Sequence, residues 1–468
     1  MQVFNLPAAF EAQMQQQLGP DYPAFVAALA TPPPVSIRLN PRKPGFNTAG
    51  LTPVPWCETG VYLSERPVFT LDPLFQAGAY YVQEASSMLL AEAIRQTVGQ
   101  TRAYVGRPPV RALDLCAAPG GKSTLMASTL PPNSVLVCNE VIRSRVPVLR
   151  ENIDKWGYAN VVVSHHDPED FAPLAGFFDL VMIDAPCSGE GLFRKDPKAV
   201  GEWSPEHVQL CSARQGRILA ASAPLVAEDG WLIYSTCTYN DAENGLAVQW
   251  LSDHGFQNHP LNLPPDSASA WGITERVFGN SVGYQCYPHR VRGEGFFISL
   301  FRKTGSAASP VAKTRGFKSA RLVHHKQVGA LKPFLRHADQ FSFWQKPNDE
   351  ILAVPIALEK ELVMLDGALR SKGFGIEMGL FKGQDFLPNH ALALSTELAP
   401  DLPGVDLTRE ESLHYFKKEN LLLPGAPRGW LLARYEGLPL GWMKNLGNRV
   451  NNYLPKDWRI RMDIPEYT

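Results

Sequence analysis

The sequence predicts an α/β protein built round a mostly parallel β-sheet, and three observations carry that expectation. Short apolar runs recur along the middle of the chain: "VRALDLC" (110–116), "VLVCNE" (135–140), "NVVVSHHD" (160–167), "FDLVMIDAP" (178–186) and "GWLIYSTC" (230–237). Stretches of helical apolar spacing separate them, and that alternation reads as parallel strands covered by helices on both faces. All five runs end on residues able to do chemistry, and in such sheets ligands collect beyond the carboxyl ends of the strands.

Taken in order, residues 1–108 hold a Pro-rich stretch, "TPPPVSIRLNPRKPG" (31–45), and a helix-like one, "QEASSMLLAEAIRQ" (83–96). They read as an N-terminal α/β RNA-binding extension. The core spans 109–303, with amphipathic helices expected at "GGKSTLMASTL" (120–130), "IRSRVPVLRENIDKW" (142–156) and "SPEHVQLCSARQGRILAASAPLV" (204–226). Pro147 should kink the second or shift its start. "GYQCYPH" (283–289) and "EGFFISLFRK" (294–303) look like a closing pair of strands, giving a seven-stranded sheet. The segment "KTGSAASPVAKTRGFKSARLVHHKQ" (303–327) is rich in Ser, Ala, Gly and cations, so 304–334 reads as a linker. Residues 335–468 carry their own apolar runs and should fold separately.

Composition narrows the class. Apolar residues make up 45% and charged residues 19%, while 45 Lys+Arg nearly cancel 46 Asp+Glu. An ordinary soluble protein follows, in which any nucleic-acid partner must meet a local basic face. Signal-peptide and membrane-spanning patterns are absent, so a cytoplasmic location is expected. Seven cysteines without CxxC spacing argue against a disulfide framework and a zinc site; no metal and a monomer are expected.

The loop "LDLCAAPGGKST" (113–124) turns from strand to helix through small residues, which lets a ligand approach backbone and helix end. It nearly matches a phosphate-binding P-loop, but Cys116 stands where that loop needs glycine. Glu140, at the second strand's end, lies where a cofactor ribose would present its hydroxyls, and Asp167, after the third, can accept from an adenine amine. Together they describe a site for an adenosine without a polyphosphate, as in S-adenosyl-L-methionine. The different-class alternative is a P-loop-like nucleotide hydrolase.

"DAPCSGEG" (184–191) and "STCT" (235–238) follow neighbouring strands, so Cys187 and Cys237 should face one cleft. A lone cysteine is most often packing. Two at one cleft suit methylation of the C5 carbon of cytosine, where a thiolate adds to C6 and makes C5 nucleophilic. Asp184 is then the candidate to serve N3 with a proton or hydrogen bond, and burial should raise its pKa. A second thiol could help release the product. Chemistry alone leaves open which sulfur attacks.

The pieces "SIRLN" (36–40), "YYVQEASSM" (80–88), "DLCAAPGGKS" (114–123), "DAPCSGEG" with "RKDP" (194–197), and "YSTCTYNDAENG" (234–245) resemble the RNA 5-methylcytosine methyltransferases of the NOL/NOP/Sun family. That resemblance covers about the first 300 residues. It implies a Rossmann-like methyltransferase core, Cys237 as nucleophile and Cys187 as the release group. It also implies a cofactor loop of Cys116, Ala117, Ala118, Pro119, Gly120, Gly121 and Lys122, with Glu140, Asp167 and Asp184 as further contacts. The tail, "LTREESLHYFKKENLLL" (407–423) and 429–461, resembles the PUA-like end of the bacterial RsmF-type branch, which methylates 16S ribosomal RNA. Ribosomal RNA or the small ribosomal subunit is the implied partner, with transfer RNA the alternative.

Arg434, Lys444, Arg449, Lys456, Arg459 and Arg461 stand among Trp430, Tyr435, Trp442, Tyr453 and Trp458, a mixture suited to phosphate contact and base stacking. Arg38, Lys313, Arg315, Lys318 and Arg321 could extend that track, whereas His324 and His325 read as plain loop residues. The target base must leave its stack to reach a thiol, which costs a few kcal/mol.

Overall fold

The structure, a computed structural model, describes residues 6–98, 108–263, 270–305, 316–369 and 373–464. Its centre is a sheet of β1 (Val110–Asp114), β2 (Ser134–Asn139), β3 (Val161–Ser164), β4 (Phe178–Asp184), β5 (Val226–Thr236), β6 (Phe256–Asn258), β7 (Thr274–Phe278), β8 (Ser281–Cys286) and β9 (Phe296–Lys303). The spatial order is β7-β8-β9-β5-β4-β1-β2-β3, with β6 paired on β9. β1 to β5 run parallel and are the five apolar runs seen in the sequence; β6 to β9 pair antiparallel. The sheet therefore has nine strands where seven were expected. β7 alternates half-buried with exposed residues and β6 has only three, so neither shows an apolar run.

Burial of both faces explains the dense apolar runs. Ala112, Leu136, Cys138, Leu180 and Met182 pack into one core, and Leu113, Val135, Val137, Val181 and Ile183 into the other. This is the period-two alternation of a strand with helices above and below. Strand order reverses between β1 and β4, leaving a crevice at their carboxyl ends. Pro147 shifts the start of its helix: Val146–Trp156 begins one residue before it, and the preceding Arg143–Arg145 forms a 3₁₀ turn.

Before the core, helices Ala8–Leu18 and Tyr22–Leu29 precede a four-stranded sheet of Thr52–Val54, Cys57–Leu63, Val35–Leu39 and Tyr80–Val82. Arg38 is not on an RNA track. It is 1% exposed, donates to Gln83 (2.7 Å) and Thr124 (2.6 Å), and lies over the Trp156 ring, fastening the extension to the core.

Within the expected linker, the described residues 316–334 are structured. Phe317 is buried against Trp344 and Phe374, Arg321–Leu322 pairs with Phe341–Gln345, and His324 caps the helix His325–Leu331. Apolar residues spaced singly among cations hid this. Lys313 and Arg315 lie outside the described residues. The C-terminal part forms two sheets, one of five strands through Asp385–Pro388 and one of four, Gly404–Asp406, Gly429–Tyr435, Leu438–Asn445 and Val450–Asn452. Neither stands apart: Trp344, Leu352 and Val354 of the first share a core with β2, and Ala433, Leu440 and Met443 of the second pack with Leu71 and Ala77. Among the described residues no helix is long and apolar enough to cross a membrane.

Candidate active site

Register brings the chemistry together. Asp114 pairs with Cys138 on one side and Met182 on the other, and Asp184 pairs with Ser235. Cys187 and Cys237 follow Asp184 and Ser235 by three and two residues, so both sulfurs arrive at one place; they lie 3.1 Å apart. The Cys237 amide also donates to the Cys187 sulfur (3.3 Å). Both thiols are free and half-buried. The Cys187 thiol is pushed well up, first by its hydrogen bond with Cys237 and then by burial, so Cys187 keeps its proton.

Asp184 accepts from the Lys122 ammonium (2.8 Å) with one oxygen and from the Ser235 hydroxyl (2.6 Å) with the other. It was expected to serve N3 with a proton or hydrogen bond; here both of its oxygens are engaged as acceptors. Burial works against that lysine's charge, but Asp184 outweighs it and holds the pKa up.

The loop from Cys116 to Lys122 wraps the end of β1. Ala117 donates to the Asn139 carbonyl, and Gly120, at φ 114°, opens the helix Gly121–Thr129. That left-handed φ is open to glycine at little cost. A Cβ on Gly121 would stand 3.2 Å from the Tyr81 ring. Asp114 is wholly buried; Ser123 donates to one oxygen (2.6 Å), and the other has no partner. Burial pushes its carboxyl up to about 7.

Glu140, 3% exposed on its side chain, accepts from the Ile142 amide (2.8 Å) and pairs with Arg145, which also donates to the Ala118 carbonyl. Asp167 is not hydrogen-bonded to this group. It caps the 3₁₀ helix Pro168–Leu174 and pairs with Arg217; although burial opposes them, the Glu169 amide and Arg217 hold its carboxyl below the usual range.

The donor set selects among ligands. Asp114, Glu140 and Asp184 line the strand ends, and the two cations among them, Lys122 and Arg145, are already paired. A polyphosphate would meet unbalanced negative charge there. A cationic, hydroxyl-bearing ligand suits it, and the unpartnered Asp114 oxygen is a free acceptor.

The tail divides. Trp442 is 2% exposed and donates to the Asn389 carbonyl, and Arg434 donates to the carbonyls of Pro400 and Leu402, so both are structural. Arg449, Lys456, Arg459, Arg461 and Tyr453 are exposed, and Lys444 lies over the half-buried Trp430. Trp458 meets His390 edge-on. What sequence reasoning missed is Ser235, Glu190, Asn240 and Glu243, which stood inside the quoted motifs with no role assigned.

Three family models match the chain in order. They are the N-terminal domain of 16S rRNA methyltransferase RsmF over 6–85, 16S rRNA methyltransferase RsmB/F over 107–302 and the methyltransferase RsmF PUA domain over 403–460. Ribosomal RNA small subunit methyltransferase F of Escherichia coli O17:K52:H18 is 30% identical over 481 residues, 96% of either chain. The protein of that name from Shigella dysenteriae serotype 1 is also 30% identical, with the same coverage. Among solved structures, a methyltransferase homolog protein from Pyrococcus horikoshii is 26% identical, with a TM-score of 0.53 over 64% of this chain and 96% of its own. NSun6 from Pyrococcus horikoshii, solved with SFG, shares the fold at 19% identity and a TM-score of 0.53, over 64% of this chain and 99% of its own.

Fold, strand-end acids and matching models define the class: a Rossmann-like RNA methyltransferase, and not a P-loop hydrolase. Within it the chain belongs to the RsmF family of 16S rRNA methyltransferases, whose N-terminal, catalytic and PUA domains it carries in that order.

Proposed function

We propose that the protein methylates C5 of a cytosine in 16S ribosomal RNA, with S-adenosyl-L-methionine as donor, through a covalent bond between Cys237 and C6. The observation that carries this reading is the pair of thiols 3.1 Å apart, beside the Asp184–Lys122 ion pair. An amino group attacks a methyl donor unaided, whereas C5 of cytosine needs a nucleophile added at C6.

When bound, the cofactor would supply an electrophilic methyl group, and Asp114, Glu140 and Asp184 at the strand ends would hold it. We assign Asp167 to the adenine amine, where it would exchange Arg217 for the ligand. Cys237 gives up its thiol proton to solvent and as thiolate forms the bond to C6, and the displaced electron pair runs to N3, where the Lys122 ammonium holds a proton. C5 then takes the methyl group and N3 returns its proton. For release, Cys187 donates its proton to the departing Cys237 sulfur and, as thiolate, takes the proton from C5, so that the S–C6 bond breaks and C5=C6 re-forms. That Cys187 holds its proton while within reach of the other sulfur supports these roles.

Cys237→Ala should abolish methyl transfer to 16S RNA while leaving cofactor affinity within about twofold. Cys187→Ala should accumulate a denaturant-resistant protein–RNA adduct that disappears in the double mutant. Transfer to bulk tRNA but not to 16S RNA or small subunits would reject the substrate, and near-wild-type turnover by Cys237→Ala would reject the nucleophile.

A further inference from the structure

Behind the two thiols lie two buried carboxylates that the reaction above does not use. Glu190 is 0% exposed and Glu243 1%. Among the described residues neither makes an ion pair; each is held by N–H donors. One Glu190 oxygen accepts from the amides of Tyr239 (2.8 Å) and Asn240 (3.1 Å), the other from Trp203 Nε1 and Asn240 Nδ2 (3.0 Å each). Glu243 accepts from the Ser188 amide (3.0 Å), Gln215 Nε2 (2.7 Å) and Asn240 Nδ2 (2.7 Å).

The pattern is reciprocal. Glu190 sits three residues after Cys187 and grips the backbone just beyond Cys237. Glu243 sits six residues after Cys237 and grips the residue next to Cys187. The Asn240 amide touches both carboxylates, and the Gly191 amide donates to the Cys237 carbonyl (2.7 Å). Each sulfur is thus anchored through a carboxylate that belongs to the other's loop. A buried carboxylate with no cation depends on those N–H donors, so the loops cannot separate without leaving one uncompensated.

We propose that Glu190 and Glu243 are positioning residues which set the two thiols in register, and that they govern different steps: Glu190 the attack by Cys237, Glu243 the release by Cys187. The assignment of steps rests on the thiol roles proposed above. Glutamine preserves the volume of each side chain. At Glu190, however, it must turn an NH₂ group either toward the two backbone amides or toward the Trp203 and Asn240 donors. At Glu243 it faces either the Ser188 amide and Gln215 Nε2, which share one oxygen, or Asn240 Nδ2, which donates to the other.

The test is Glu190→Gln and Glu243→Gln in the full chain, with 16S RNA and S-adenosyl-L-methionine under single turnover. Cys187→Ala and Cys237→Ala run beside them, and cofactor affinity and melting temperature are measured for each. Expected is a tenfold or larger slowing of adduct formation by Glu190→Gln. Glu243→Gln should form adduct at near the wild-type rate and accumulate it, as Cys187→Ala does. Cofactor affinity should stay within about twofold for both, which general unfolding would not allow. Should either glutamine variant lose cofactor binding, Glu190→Asp and Glu243→Asp, which retain the charge on a shorter arm, must show the same division between steps. If Cys187→Ala traps adduct but the glutamate variants slow both steps equally, or neither, the clamp is overturned. If Cys187→Ala traps nothing, the thiol roles fail and the assignment of steps goes with them.

Discussion

Asp114 shows how burial alone can shape a binding group. It has no cation of its own, one hydrogen bond from Ser123, and a carboxyl pushed up to about 7. A positively charged ligand favours the ionised form, so binding should pull a proton off Asp114. Affinity for S-adenosyl-L-methionine should therefore rise as pH increases toward about 7, by up to tenfold per unit, and level off above it. Calorimetric titration across pH 5.5 to 8.5 in wild type and Asp114→Asn checks this: the asparagine variant should lose the slope, and an identical slope in both proteins would reject it. Burial acts on the Cys187 thiol in the same direction, and there it keeps the proton that release requires.

At the level of loops and strand ends, glycine decides how closely segments approach. A Cβ on Gly191 would stand 2.6 Å from the Gly295 carbonyl oxygen and 2.8 Å from that of Cys237. Both are backbone atoms, so neither contact can be relieved by turning a side chain. Gly191→Ala should thus push the Cys237 loop outward. A misplacement near 1 Å costs about 10²-fold in rate, and the overpacking itself about 1–3 kcal/mol. We expect single-turnover methylation to fall by about that factor while cofactor affinity is retained; a rate within twofold of wild type would show that the loop yields elsewhere. The "SGEG" motif is visible in the sequence, but its second glycine gains a reason only from the Gly295 and Cys237 carbonyls, both distant along the chain.

Across the molecule, the N-terminal extension, the core and the C-terminal sheets share interiors. Leu71 and Ala77 pack with Leu413, Tyr415 and Met443, and Trp458 reaches Lys155 of the core. At this junction His390 is buried with both ring nitrogens unpartnered, its pKa lowered to about 3 by burial and by the charges of Lys155, Lys418 and Lys43. In the unfolded chain the ring takes up a proton below about 6.5. The folded form refuses it, so the stability His390 contributes is present above that pH and lost as pH falls toward 3. Asp114 and Asp154, both raised to about 7, act in the opposite sense, so the difference between two proteins is the clean measure. The stability of His390→Leu relative to wild type should increase by about 1.4 kcal/mol per pH unit as pH falls below 6.5. Urea unfolding at several pH values reads it, and a pH-independent difference would mean that the histidine is hydrated in the folded state.

The five parallel strands, the small-residue loop, the strand-end acids and the meeting of two thiols could all be read along the chain, because each depends on local period or on neighbouring strand ends. The same order of motifs carried the family resemblance. Pairing was beyond that reading: Arg38 and Arg434, exposed cations by composition, are spent inside the fold, and Asp184 accepts where it was expected to donate. Glu190 and Glu243 are ordinary loop acids until the loops cross. Residue type sets what a side chain can do, but burial and partners, supplied by segments distant in sequence, set which of those things it does.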